Sequence, residues 1–231
     1  MHTRGDATKM INYGLPAGYN SRLLPEYFED VLNDSYFWQA DVYRLANLLA
    51  RRKCITRIID IGCGRGQKLV SLKDTFDVVG IDYRSNIEYC QSNYNWGTWI
   101  ECDLNTNIPN LDFKNSICIN ADVIEHIPDL TALIETLRNA SKTAAYVLIS
   151  TPDRERLNQG TPNGMPANKS HVREWTRQEF TDWLKSEGLP VIWSGWTVSF
   201  DKQRDKRNTI LVILSSSETI DDMPVAFEEA K

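Results

Sequence analysis

The first clear period in the chain lies at residues 36–52, where Phe37, Val42, Leu45, Ala46 and Leu49 recur at helical spacing. Arg51, Arg52 and Lys53 follow, suiting the negative end of a helix dipole, so the pattern predicts a helix over 36–52. Thr56 to Ile61 is then a β-branched run of the kind that forms a strand buried on both faces. After a cluster of glycines come a short helix near 67–74, a strand at 77–82, a helix near 85–93, strands at 98–102 and 116–121, a helix at 129–141 and a strand at 144–150. Strands at 190–194 and 209–215 complete the alternation, the second antiparallel beside the first. Strands joined by crossover helices form a parallel sheet covered on both sides. The expected fold is α/β: a Rossmann-like, doubly wound, mostly parallel seven-stranded sheet with helices on both faces and an antiparallel last strand.

Two segments break the alternation. Residues 150–175 lack periodicity, contain Gly160, Pro162, Gly164 and Pro166, and are longer than most connections, so they read as a substrate loop. Immediately after it, Thr176 and Glu179 make a capping box, with Trp175 and Phe180 placed as a hydrophobic staple and Gly188 as the stop. The domain plan is an amino-terminal arm or lid over 1–35, one catalytic domain over 36–217 and an acidic tail over 218–231. The arm is aromatic-rich (Tyr13, Tyr19, Tyr27, Phe28, with Tyr36 and Trp38 following). Two readings of it stay open, a second wall over the ligands or packing for the sheet.

Composition narrows the class. The net charge is −5, and the tail, with five acids against one lysine, carries −4 of it. A nearly neutral body gives no broad footprint for long nucleic acid, and no DNA partner is expected. No apolar run approaches the roughly 18 residues of a membrane span. The first residues have no apolar core or cleavage site, so a cytoplasmic enzyme without membrane insertion is expected. The five cysteines, an odd number with no CxxC pair, read as reduced packing residues rather than a zinc site. Nothing in the sequence sets the oligomeric state.

The chemistry begins where the first strand runs into Asp60-Ile-Gly62-Cys63-Gly64-Arg-Gly66. Such glycines let backbone turn tightly and approach a ligand where a Cβ would clash. Asp82, ending the second strand 22 positions after Asp60, is placed to accept both hydroxyls of a ribose, with Tyr83 beside it. Asp103, followed by Leu104, ends the third strand where a carboxylate takes the adenine amino proton, or is a turn acid. The pair of Gly-rich loop and Asp82 points to an adenosine ligand.

On these residues the chain resembles class I S-adenosylmethionine (SAM)-dependent methyltransferases over roughly 55–215, through D-I-G-C-G-x-G. The resemblance implies SAM as cofactor, Asp60 holding its methionine end, Gly62, Cys63, Gly64 and Gly66 forming its bed, Asp82 on its ribose, and the backbone of Asn120 and Ala121 against it. Beyond the fourth strand, Asp122, Glu125 and His126 fall at i, i+3 and i+4 of a helical turn, beside the transferable methyl. His126 or His171 has the chemistry to remove a hydroxyl proton, with Glu125 alongside; bracing of the turn before Pro128 is the alternative. Asp122, Glu125, His126 and His171 together make an O/N donor set for a divalent metal, Mg or Mn. That set and H-V-R-E-W-T-R-Q-E-F resemble, in part, the metal-dependent 2′-O-methyltransferases of small-RNA 3′ ends, which have a glutamate where Asp122 stands.

A second resemblance covers the whole loop: Ser150-Thr-Pro-Asp-Arg-Glu-Arg-Leu157, Gly160, Gly164, Pro166, Asn168 and His171-Val-Arg-Glu-Trp175 look like bacterial methyltransferases found with glycosyltransferases in polysaccharide and secondary-metabolite assembly. It implies O-methylation of a sugar or glycan acceptor. An RNA 3′ end is the alternative acceptor, and a non-catalytic SAM-binding subunit the alternative class. Arg154, Arg156, Lys169 and Arg173 are expected to border the acceptor pocket, or to be a solvated loop face.

Overall fold

The computed structural model describes residues 12–30, 37–157, 163–203 and 205–220, with the backbone of 228–229. The remainder of the arm with Tyr36, loop residues Gly160 and Pro162, and most of the acidic tail lie outside the described residues.

Seven strands of four or more residues form the sheet: β1 (Arg57–Ile61), β2 (Asp77–Asp82), β3 (Thr98–Glu101), β4 (Ser116–Ala121), β5 (Tyr146–Pro152), β6 (Val191–Thr197) and β7 (Thr209–Leu214). A two-residue β8 (Glu228–Glu229) is added at the edge, inside the stretch that the sequence reads as an acidic tail. The order is β3-β2-β1-β4-β5-β7-β6-β8. The first five run parallel, and β7 inserts antiparallel between β5 and β6. The expected doubly wound, mostly parallel sheet is therefore present. Connections leave β1 in one direction and β4 in the other, which opens a crevice outside their carboxyl ends, where ligands bind in such sheets.

Each face of the sheet has its own core. Along β1, Ile58 joins the side covered by α1 (Ala40–Arg52) and α2 (Ser85–Asn93), while Ile59 and Ile61 join the side covered by α3 (Thr131–Thr143) and α5 (Arg177–Ser186). The helical period of α1 puts Val42, Leu45, Ala46 and Leu49 against Ile117, Ile119 and Leu148. On the other face Leu133, Leu137, Phe180 and Leu184 meet Cys118, Val147 and Ile149. Each fully buried large aliphatic contributes about 1.5–3 kcal/mol. The capping box of α5 forms, with Thr176 N donating to Glu179 Oε2 (2.9 Å) and Glu179 N donating to Thr176 Oγ1 (3.3 Å). The staple rings of Trp175 and Phe180 lie 5.2 Å apart.

The start of α1 departs from the sequence pattern. The helix begins at Ala40 because Gln39 is left-handed (φ 56°) and Trp38 peels away to bridge Phe200. The polar group that breaks the period is held elsewhere: Gln39 Nε2 donates to Asp122 Oδ2 at 2.6 Å, across the crevice. Four cysteines are buried and Cys54 is exposed. Among the described residues no helix is long and apolar enough to cross a membrane.

Candidate active site

Where β1 ends, Gly62 N and Cys63 N both donate to Ile81 O (2.8 and 3.0 Å), folding the chain back over β2. The turn needs glycine at two places for steric reasons. Gly62 has φ +90°, and a Cβ there would sit 2.3 Å from Val123 Cγ2; Gly64 has φ +55°, and its Cβ would sit 2.6 Å from Asp30 Oδ2. Gly66 starts a 3-10 turn over Gln67–Ser71.

Asp82 closes the loop. Its Oδ2 accepts from Gly64 N (2.7 Å), and its Oδ1 accepts from Tyr83 N (2.8 Å) and Asn86 Nδ2 (3.2 Å). Burial nevertheless pushes its carboxyl up to about 6, against the lowering effect of those bonds. Asp60 is fully buried and faces α1, where Tyr43 OH donates to its Oδ2 at 2.8 Å, while its Oδ1 has no partner among the described residues. Burial carries this carboxyl to about 7, with Lys68 pulling the other way. Asn120 is also buried and ties β4 to β1 through Nδ2 donating to Ile61 O (2.7 Å).

These groups border a cavity of about 650 Å³, within the range of small-molecule sites. Gly62, Gly64, Asp82, Tyr83, Asp103, Leu104 and Ala121 line it, as do Asp122, Glu125, His126 and His171. Asp60, Cys63, Gly66 and Asn120 do not reach its surface; they support the loop from behind. Asp103 lies two residues past β3, and its Oδ1 accepts from Asn105 N at 3.0 Å, the local bond of a turn acid in a residue that also faces the cavity.

The described residues of the arm divide between two surroundings. Tyr13 and Tyr19 pack behind the substrate loop, with Trp175 Nε1 donating to Tyr13 O and Glu174 N to Tyr19 OH, each at 2.8 Å. Pro25, Glu26, Tyr27, Phe28 and Asp30 form a wall of the cavity. Tyr27 OH donates to Tyr83 O (2.8 Å), and Asp30 N to Asn86 Oδ1 (3.1 Å), fastening that wall to the end of β2.

In the wall of the cavity, a 3-10 turn over Ile124–His126 and the loop residue His171 meet, joined by Val172 N donating to Glu125 O at 2.7 Å. Glu125, His126 and His171 each bring a ligand atom within 4.8 Å of the others. Glu125 Oε2 accepts from Thr151 Oγ1 (2.9 Å), but Oε1 is buried and without a partner among the described residues. Burial, then Asp122, raises the Glu125 carboxyl well above the usual range; burial, then His171, lowers His126 to about 3, so its ring is neutral. The neutral His126 ring donates from Nδ1 to Ser170 O (3.0 Å), which leaves its Nε2 as an acceptor, whereas His171 is held at both nitrogens, Nδ1 by Glu174 Oε1 (2.6 Å) and Nε2 by Asn168 Nδ2 (2.9 Å). Glu125 Oε1 and His126 Nε2 are open ligand atoms of the kind a divalent cation takes, and His171 Nε2 joins them by exchanging its bond to Asn168.

Asp122 does not join that cluster. Its left-handed backbone (φ 53°) turns the short side chain toward Gln39 Nε2 and Ser150 Oγ, which occupy its oxygens at 2.6 and 3.2 Å. The expected basic border is also absent. Arg154 is bound to Glu174 O and Glu179, Arg156 stacks on Trp196, Lys169 faces Glu26, and Arg173 is buried, donating to Ile127 O and Pro128 O. The cations that do line the cavity are Lys68 and Arg84. Sequence reasoning passed over both, along with Asp30, Gln39, Asn86 and Glu174. Only Lys68, two residues past the last glycine of the loop, and Glu174, three residues after His171, carry a spacing signal.

Comparison with known proteins agrees with this geometry. The family described as "Methyltransferase domain" matches residues 31–193. A probable S-adenosylmethionine-dependent methyltransferase of Mycolicibacterium smegmatis is 26% identical over 145 residues, or 62% of this chain and 55% of that protein, so the chain spans about half the length of that relative. The methyltransferase domain of bacterial CtHen1 superposes with a TM-score of 0.55 at 20% identity, over 77% of this chain and 98% of that one. The plantazolicin methyltransferase BamL, solved with a triazolic desmethylPZN analog and SAH, superposes with a TM-score of 0.59 at 15% identity, over 79% and 85%. The two structural likenesses are likenesses of fold.

Proposed function

We propose, from the premise that this chain belongs to the methyltransferase-domain family and is a class I SAM-dependent methyltransferase, that it moves a methyl group onto a hydroxyl of a sugar or glycan-type acceptor. In this reading the nucleoside of SAM lies over Asp82 and Tyr83, its amino-acid end reaches over β1 and β4, and the acceptor enters at Glu125, His126 and His171. The observation that carries it is Glu125 Oε1, a buried carboxylate oxygen without a partner among the described residues, held beside two imidazoles. A buried oxygen in need of a partner, beside imidazoles, supports a hydroxyl acceptor activated with the help of a cation.

SAM supplies a methyl already activated by its sulfonium, so the chain must orient an in-line transfer and manage one proton. A divalent cation, Mg or Mn, held by Glu125, His126 and His171, would acidify a nearby hydroxyl. Glu174 and Ser170 O fix the two imidazole tautomers, Thr151 anchors Glu125, and the Phe28 ring, 5.0 Å from that of His126, keeps water off it. The aromatic wall of Tyr27, Phe28 and Trp38 suits a neutral ring. The engaged loop arginines give no track for a polyanion.

A SAM-dependent activity screen over sugar, nucleotide-sugar and RNA acceptors, with and without chelator, tests the proposal. Methylation of a sugar hydroxyl, lost with chelator and restored by Mg or Mn, is the expected result. Turnover indifferent to chelator would remove the cation, and an N-methyl product would remove the hydroxyl. The same trio also favours a second reading, methylation of an RNA 3′-terminal 2′-hydroxyl; protection of the RNA end from periodate, with no turnover of sugars, would select it. A SAM-binding subunit without catalysis is set aside by the family match and the curated relative.

A further inference from the structure

Acidic side chains outnumber basic ones along the cavity. Its described lining residues include seven Asp and Glu side chains, three of them pushed by burial toward the neutral form, and, imidazoles apart, two cations, Lys68 and Arg84. Such a chamber suits the sulfonium and ammonium of SAM and repels the one negative group that SAM carries, its α-carboxylate. A carboxylate entering this chamber therefore needs a cation beside it.

The order of strands decides which cation that is. Asp82 ends β2 and Asp103 follows β3, so the nucleoside end of the cavity lies on that side of the sheet. Arg84 belongs to the same side: it directly follows Tyr83, is fully exposed, and lies over the rings of Tyr83 (4.7 Å) and Tyr27 (5.6 Å). Lys68 sits on the opposite side of the glycine loop. Its turn follows Gly66, its Nζ lies 5.7 Å from the centre of the Tyr43 ring, and the hydroxyl of that ring is bonded to Asp60 at the end of β1. The Lys68 charge acts on both Asp60 of β1 and Asp122 after β4. It is therefore above the crevice between β1 and β4, where the amino-acid end of the cofactor falls. Among the described residues its ammonium makes no hydrogen bond or ion pair, and it also borders the outer groove beside α1.

We propose that Lys68 is the residue that reads the α-carboxylate of the cofactor, and so sets the preference for SAM and its product over nucleosides that lack an amino-acid end. This rests on the SAM site described above and adds to it a division of labour: Asp82 recognises the ribose, Lys68 the amino acid. A charge-assisted contact of this kind is worth about 10- to 100-fold in affinity.

Calorimetry with S-adenosylhomocysteine (SAH), decarboxylated SAH and 5′-methylthioadenosine on the full chain tests it. Wild type is expected to bind SAH about 10- to 100-fold more tightly than decarboxylated SAH. In Lys68→Met that difference collapses, while methylthioadenosine affinity stays within about twofold; Lys68→Arg restores most of the preference. Equal weakening of all three ligands in Lys68→Met, or an unchanged preference for SAH, would overturn the assignment while leaving the SAM site intact. Should Lys68→Met not fold, wild type alone still decides: equal affinity for SAH and its decarboxylated form overturns the proposal, and the expected preference, retained in Lys68→Arg, supports it. Wild type that binds none of the three would overturn the cofactor reading itself.

Discussion

Replacing Asp82 with asparagine separates binding from stability. The carboxylate accepts three hydrogen bonds, from Gly64 N, Tyr83 N and Asn86 Nδ2. An amide of the same shape keeps the two on Oδ1 but sets its own NH2 against Gly64 N–H, a donor facing a donor at the place of a 2.7 Å bond. That loss is worth roughly 1–3 kcal/mol. Against it stands the removal of a buried charge: raising the carboxyl from 3.8 to about 6 corresponds to about 3 kcal/mol held against the ionised form at neutral pH. The two terms are similar in size and opposite in sign. The ligand-free variant is therefore expected to melt within a few degrees of wild type at pH 7.5. Binding has no such compensation, since the ribose hydroxyls lose a charged acceptor, and SAH affinity should fall about 10- to 100-fold.

The pH dependence has a definite sign. The folded value of Asp82, about 6, lies above the ordinary 3.8, so its stabilising share is full below pH 3.8 and is lost as pH rises through 6. The melting temperature of wild type, measured against the asparagine variant, should thus improve between pH 7 and pH 5, while SAH affinity of wild type declines over the same interval as the acceptor takes up a proton. Calorimetry and thermal melts across this range check both. SAH affinity within twofold of wild type in Asp82→Asn, at pH 7.5, would refute the reasoning.

Two further outcomes follow from the geometry. Glu125→Gln keeps the size of the side chain but removes the anionic ligand, so Mn²⁺ should raise the melting temperature of wild type and leave that of the variant unchanged; equal shifts in both would place the cation elsewhere. Gly62→Ala forces a methyl to within 2.3 Å of Val123 Cγ2 at φ +90°, which should cost roughly 1–3 kcal/mol or more and lower both the melting temperature and SAH affinity; a melt unchanged from wild type would show that the loop has room to relax.

The frame of the protein was legible because its signals are local and periodic. A β-branched run into D-I-G-C-G-R-G marks β1 and its turn, alternation places the strands within a few residues, and Thr176 with Glu179 marks α5. The cavity-lining groups at the strand ends were legible for the same reason, since Asp82 and the Glu125–His126 turn sit at fixed offsets from strands. What sequence spacing did not reveal depends on contacts between distant segments. Gln39 falls inside the predicted helix, yet its left-handed backbone starts the helix only at Ala40, and its bond to Asp122 withdraws that carboxylate from the donor cluster. The loop arginines are polar by composition, but Arg173 is buried because two carbonyls, Ile127 O and Pro128 O, receive it. Of the wall formed by residues 25–30, only the aromatic Tyr27 and Phe28 stand out in the sequence, and Asp30 does not.

That wall makes the chamber a joint product of chain segments that meet only after folding. Residues 25–30 touch the glycine turn and the end of β2 but belong to no strand or helix of the layered body. A fragment cut at residue 36 would keep all seven main strands but lose this roof together with Leu15, Tyr13 and Tyr19, which pack on one of the two hydrophobic layers, so that the same arm serves both the chamber and the core. Tyr27 OH to Tyr83 O and Asp30 N to Asn86 Oδ1 are the two hydrogen bonds by which that roof is held to the layered body.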